Sequence, residues 1–152
     1  MFEDLAYLKW AEHHYRSVRV NLAASGIPDL PAAMLPMHAA VDTSGPSGLS
    51  DWSHWTATRQ IVGDGRAFVD RWVAAHDALS WRAPPFGLYG WIEVAGAVDV
   101  RTRVERAYAD QGLLVAPGEF FGPDPSAFRI GWTMADDRLD ESLALLARVL
   151  DL

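Results

Sequence analysis

Gly112-Leu113-Leu114-Val115-Ala116-Pro117-Gly118-Glu119-Phe120-Phe121-Gly122, followed by Phe128-Arg129-Ile130-Gly131-Trp132-Thr133, is the stretch on which the fold turns. Leu113–Val115 and Phe128–Thr133 are short apolar runs that read as strands, separated by a Pro-Gly turn. Upstream, Leu88–Val94 alternates and is rich in aromatic and β-branched residues, a third strand. Between them residues 98–111 form an amphipathic helix that Gly112 ends. Leu139, Leu143, Leu146 and Leu150 recur at helical spacing and predict a closing helix capped by Asp136 or Asp137.

Working outward, Ser50 is a plausible cap for a long helix in which Trp52, Trp55, Ile61, Phe68, Trp72 and Leu79 recur at near-helical spacing. Gly63-Asp64-Gly65 predicts a kink or break in it, because each glycine costs about 1 kcal/mol inside a helix. Residues 2–17 read as a first helix. Residues 18–49 read as a loop-rich connector with a short helical turn near Pro31–Met37. The predicted fold is α+β: a small, antiparallel-type sheet of about three strands covered by helices.

Composition narrows the chemistry. The chain has 152 residues, 50% of them hydrophobic and 22% charged, the balance of one globular domain. No apolar run approaches the roughly 18–20 residues of a membrane helix. Met1-Phe2-Glu3-Asp4 is acidic where an export signal would be basic, so a cytoplasmic location is expected. The absence of cysteine excludes disulfides, thiolate metal sites and cysteine nucleophiles. A net charge of −7 argues against nucleic acid or an anionic membrane as partner. Lys9 is the only lysine, and it reads as a solvated residue on a helix surface.

No glycine-rich phosphate loop and no Gly-x-Ser-x-Gly is present. His13, His14, His38, His54 and His76 lack metal-binding spacing, and no metal is expected. For proton transfer the candidates are Glu119, in the turn, and His13 or His14, of which at most one faces a pocket because neighbours on a helix diverge by about 100°.

The Gly112–Gly122 turn, the Phe128–Thr133 strand led by Arg129, and Phe86–Val94 with Gly87 and Gly90 together resemble the small C-terminal domain of fold-type-I, PLP-dependent aminotransferases. The likeness covers roughly residues 52–152. Trp10, Tyr15 and Asn21-Leu22-Ala23-Ala24-Ser25-Gly26-Ile27 resemble the N-terminal arm of the branch that contains capreomycidine synthase. This divides the domain into an arm (1–42), a flexible junction (43–50) and a C-terminal-like part (51–152). By resemblance, Arg129 binds a substrate carboxylate, Ser25, Gly26 and Ile27 close over the substrate, and Tyr15, Phe120, Phe121 and Trp132 contact it.

The sequence departs from that family at Thr43–Gly48, which stands where the large domain should lie, with its phosphate cup and aldimine lysine. PLP is therefore not expected on this chain, nor transamination by it alone. The resulting expectation is a cofactor-free enzyme of specialised metabolism that dehydrates and cyclises a small apolar metabolite by Michael-type addition. In that reading Arg129 holds the enolate-like oxygen, while Glu119 or one of the histidines moves protons. The alternatives are a complementing subunit of a split PLP enzyme and a small-molecule-binding protein. Losing the large domain should expose an apolar face, so a homodimer is expected.

Overall fold

A computed structural model describes residues 6–15, 17–24, 52–96, 98–122, 124–134 and 136–152. The expected junction at Thr43–Gly48 and the turn near Pro31–Met37 lie outside the described residues. In chain order the elements are α1 (Ala6–His14), β1 (Val20–Asn21), α2 (Trp52–Ala74), β2 (Leu79–Trp81), β3 (Tyr89–Val94), α3 (Val100–Gln111), β4 (Leu113–Leu114), β5 (Ala116–Pro117), a 3₁₀ turn (Gly118–Phe120), β6 (Ala127–Gly131) and α4 (Asp136–Leu150).

The architecture is α+β, as expected, with a richer sheet. Four antiparallel strands run in the order β2-β3-β6-β5. A separate parallel pair joins β1 to β4. β6 lies centrally and all five of its residues are buried. Period-two alternation sends Phe128 and Ile130 into the main core, where they meet Val69 of α2, Val104 of α3 and Leu143 of α4. Arg129 points to the opposite face, with its register partners Trp91 on β3 and Ala116 on β5.

The helices follow local chemistry. Asp99 caps α3 by accepting the Thr102 N–H at 3.0 Å, and Gly112 closes it in the left-handed region at φ 65°, which only glycine enters without strain. The five leucines of α4 (Leu139, Leu143, Leu145, Leu146 and Leu150) are all buried, each contributing about 1.5–3 kcal/mol relative to exposure.

α2 corrects the expected kink. It runs unbroken from Trp52 to Ala74, through both glycines. Gly65 is there for contact: a Cβ at that position would lie 2.1 Å from the Trp132 carbonyl oxygen, so the bare backbone lets α2 approach the end of β6. α2 also stops short of Leu79, which opens β2 and pairs with Val94.

The arm is not a connector at Val20–Ala24. Val20 and Leu22 donate to the carbonyls of Gly112 and Leu114, both at 2.9 Å, and Gly131 donates to Leu22 at 2.6 Å. This segment is therefore stitched to β4 on one side and to the end of β6 on the other.

Candidate functional site

Asn21 starts the site. Its side-chain oxygen accepts the N–H groups of Ala23 and Ala24, both at 3.0 Å, an Asx-type turn that fixes the peptide beyond it. The Ala23 carbonyl then accepts from Tyr15 Oη at 2.8 Å and Arg129 Nη2 at 2.8 Å, with Tyr7 Oη 3.2 Å away. Arg129 Nη2 also donates to Tyr7 Oη, and the Tyr7 and Tyr15 hydroxyls bond to each other.

Aromatic rings enclose the guanidinium. Its carbon sits 4.6 Å from the centroid of Tyr7, 4.8 Å from Tyr89 and 4.7 Å from Phe121. Such contacts contribute about 0.5–2 kcal/mol each, more when water is excluded. Arg129 is only 9% exposed, and among the described residues no carboxylate pairs with it. Its buried Nε has no hydrogen-bond partner among the described residues. A buried cation with an idle donor is a costly arrangement unless an anion completes it. Tyr15, behind the guanidinium, is pushed well above its ordinary titration range by burial first, then by its hydrogen bond with Tyr7.

The open side of Arg129 faces a cleft of about 440 Å³ lined by Arg82, Pro84, Tyr89, Gly90, Trp91 and Phe121 as well. Tyr89 and Trp91 share a strand face with Arg129 because they are two residues apart on β3. Two arginines and an aromatic wall suit an anionic group attached to an unsaturated or apolar body.

The expected site residues divide accordingly. Arg129 and Phe121 line the cleft, while Tyr15 supports it from behind. Phe120 turns to Trp10 and Tyr7, at ring distances of 5.2 and 5.9 Å. Trp132 is fully buried against Trp81 in the core and does not line the cleft, because Ile130 and Trp132 alternate to the side opposite Arg129. Glu119 is half-exposed and ion-paired to Arg101 at 2.8 Å, outside the cleft lining. His13 is exposed. His14 packs between Trp10 and Tyr108 in a second cleft. Ser25, Gly26 and Ile27 lie outside the described residues. Tyr7, Tyr89, Trp91 and Arg82 were not foreseen. A signal existed for Tyr7, since Tyr7, Trp10 and His14 recur at i, i+3 and i+7 on one face of α1.

No family model matches the chain. It is 28% identical over 89 residues to the mitochondrial kynurenine/alpha-aminoadipate aminotransferase of Mus musculus, which is 55% of this chain and 20% of that one. Among solved structures, a PLP-dependent aminotransferase from Streptococcus suis superposes with a TM-score of 0.58 at 20% identity, over 65% of this chain and 27% of that one. The PLP-dependent cyclase OrfR superposes with a TM-score of 0.55 at 23% identity, over 63% and 27%. The chain thus has, over about 65% of its length, the fold of a part of the fold-type-I, PLP-dependent aminotransferases, and spans about a quarter of those structures.

That finding corrects the expectation of a cofactor-free protein, because the enzymes whose fold it shares depend on PLP. The described residues do not themselves fit the cofactor. Lys9 is exposed on α1 and lines neither of the two clefts described above. The idle Nε of Arg129 suits a carboxylate instead.

Proposed function

We propose that this chain is the substrate-carboxylate-binding part of a PLP-dependent, aminotransferase-like enzyme, with the PLP-holding residues supplied from outside these 152. The observation that carries the reading is Arg129: buried, caged by three rings, without a carboxylate partner among the described residues, and with an idle Nε. A carboxylate entering the cleft meets the Arg129 guanidinium in a setting where water competes poorly. Tyr89, Trp91 and Phe121 then hold the rest of the molecule, and Arg82 adds positive potential to the cleft. Phe86 (82% exposed), Tyr89 and Phe121 present apolar surface. On this reading the PLP-holding residues cover it, and self-association is the competing occupant.

A cyclisation in place of amino transfer is the second reading, favoured by the likeness to OrfR. It uses the same carboxylate grip.

The test is calorimetric titration of the full chain with hydrocinnamate and with its neutral amide. Binding of the carboxylate about tenfold or more tighter supports the reading, since a charge-assisted hydrogen bond is worth about 1.5–3 kcal/mol. Equal affinity for the two compounds overturns it. Arg129→Leu, confirmed folded by circular dichroism, should erase the difference.

A further inference from the structure

We propose that the cleft between α1 and α3, lined by Trp10 and His14, binds a small organic ammonium ion. The cleft holds about 170 Å³. An apolar cavity of about 150 Å³ accepts benzene, so there is room here for one ring or a short aliphatic chain. Val104, Leu114 and Val115 make an apolar floor, and Trp10, His14 and Tyr108 supply aromatic walls. His14 stands between the other two, its ring centroid 5.3 Å from Trp10 and 4.8 Å from Tyr108.

Three features select a cation. Aromatic walls attract positive charge through the ring quadrupole. His14 Nδ1 lies 2.7 Å from the Trp10 carbonyl oxygen, which only accepts, so the proton of the neutral imidazole sits on Nδ1. That leaves Nε2 an acceptor, suited to an ammonium N–H. The third feature is Glu105, the one charged residue among the described residues of the lining. Arg101 bonds to it at 2.8 Å and to Glu119 at 2.8 Å. One guanidinium shared by two carboxylates leaves that trio with a net negative charge.

The two clefts are thus opposite in character. Arg82 and Arg129 line one, while among the described residues no lysine or arginine lines the other. They are joined through aromatic contact, since Trp10 lies 5.8 Å from Tyr7 by ring centroid and Tyr7 lies 4.9 Å from Phe121.

The test is a nuclear magnetic resonance titration of the full chain, following the Trp10 indole N–H and the His14 ring, with benzylammonium, benzyl alcohol and benzoate. Benzylammonium should shift both signals saturably and bind about tenfold tighter than benzyl alcohol, in line with a desolvated cation–π contact plus a carboxylate. Glu105→Gln, on the exposed side of α3, should bring the two affinities together, while benzoate leaves both signals in place. Equal binding of the alcohol, saturable shifts confined to other residues, or a preference that survives Glu105→Gln would each overturn the proposal.

Discussion

The guanidinium carbon of Arg129 lies 4.6 Å from the ring of Tyr7, a residue 122 positions earlier in the chain. The phenol gives Arg129 a ring to stack on and an oxygen to bond to, and bonds in turn to Tyr15, which holds the Ala23 carbonyl. Tyr7→Phe keeps the ring and removes the oxygen. Urea denaturation should show a loss of about 1–2 kcal/mol, the range for a hydrogen bond to a charged group that is partly solvated. Hydrocinnamate binding should weaken alongside. A variant as stable as the parent would mean that the Ala23 carbonyl alone holds the arginine.

The two glycines of α2 should respond with opposite signs. A Cβ at Gly63 meets nothing within 4 Å, so Gly63→Ala should stabilise by about 0.5–1 kcal/mol through helix propensity and a less free unfolded chain. At Gly65 the same methyl runs into the Trp132 carbonyl oxygen, and the gain in propensity is overtaken by a backbone that must move apart. Thermal unfolding of both variants checks this. A stabilised Gly65→Ala would show that α2 and the end of β6 are less closely packed than described.

What the sequence reveals depends on how local the cause is. α3 and α4 are legible because their apolar spacing and the terminal Gly112 are written within single turns. β1 and β2 are not. Two residues, Val20–Asn21, become a strand only because Leu113–Leu114 offers its edge, and Leu79 sits at helical spacing from Trp72 while pairing with Val94. Leu113–Val115 reads as one strand, yet β4 ends at Leu114 and pairs with β1, while β5 begins at Ala116 and pairs with β6. The site shows the same division. Arg129 is found through resemblance, but its cage is assembled from α1, β3 and the turn after β5. Trp132 was legible and misassigned: being an odd number of residues from Arg129, it belongs to the core face.

Tyr15 should resist alkali. Burial, then its bond with Tyr7, hold its phenol above the ordinary value of about 10, so the folded protein keeps a proton that the unfolded chain releases. With more protons bound in the native state, stability falls as pH rises: the contribution is complete below pH 10 and lost progressively above it. Phenolate absorbance should therefore show a Tyr15 step that appears only as the protein unfolds. Tyr15→Phe should remove that late step and flatten the alkaline decline. An alkaline titration left unchanged by Tyr15→Phe apart from the loss of one ordinary phenol near pH 10 would contradict the burial of the Tyr15 hydroxyl.

Gly131 is where the arm meets the sheet. Its N–H reaches the Leu22 carbonyl at 2.6 Å, and a Cβ there would lie 2.1 Å from the Ala24 carbonyl oxygen. Its φ is not in the left-handed region, so alanine suits the backbone of Gly131 itself and the injury falls on the contact. Gly131→Ala should push residues 22–24 off the end of β6, carrying the Ala23 carbonyl away from Arg129. Because Ala23 and Ala24 are also held by Asn21, the arm should shift as a unit and not unravel. The expected signature is selective: faster hydrogen exchange at Leu22 and Gly131 and weaker hydrocinnamate binding, with protection at Ile92 and Leu143 in the main core retained. Uniform loss of protection would instead mean that arm and sheet unfold as one cooperative unit.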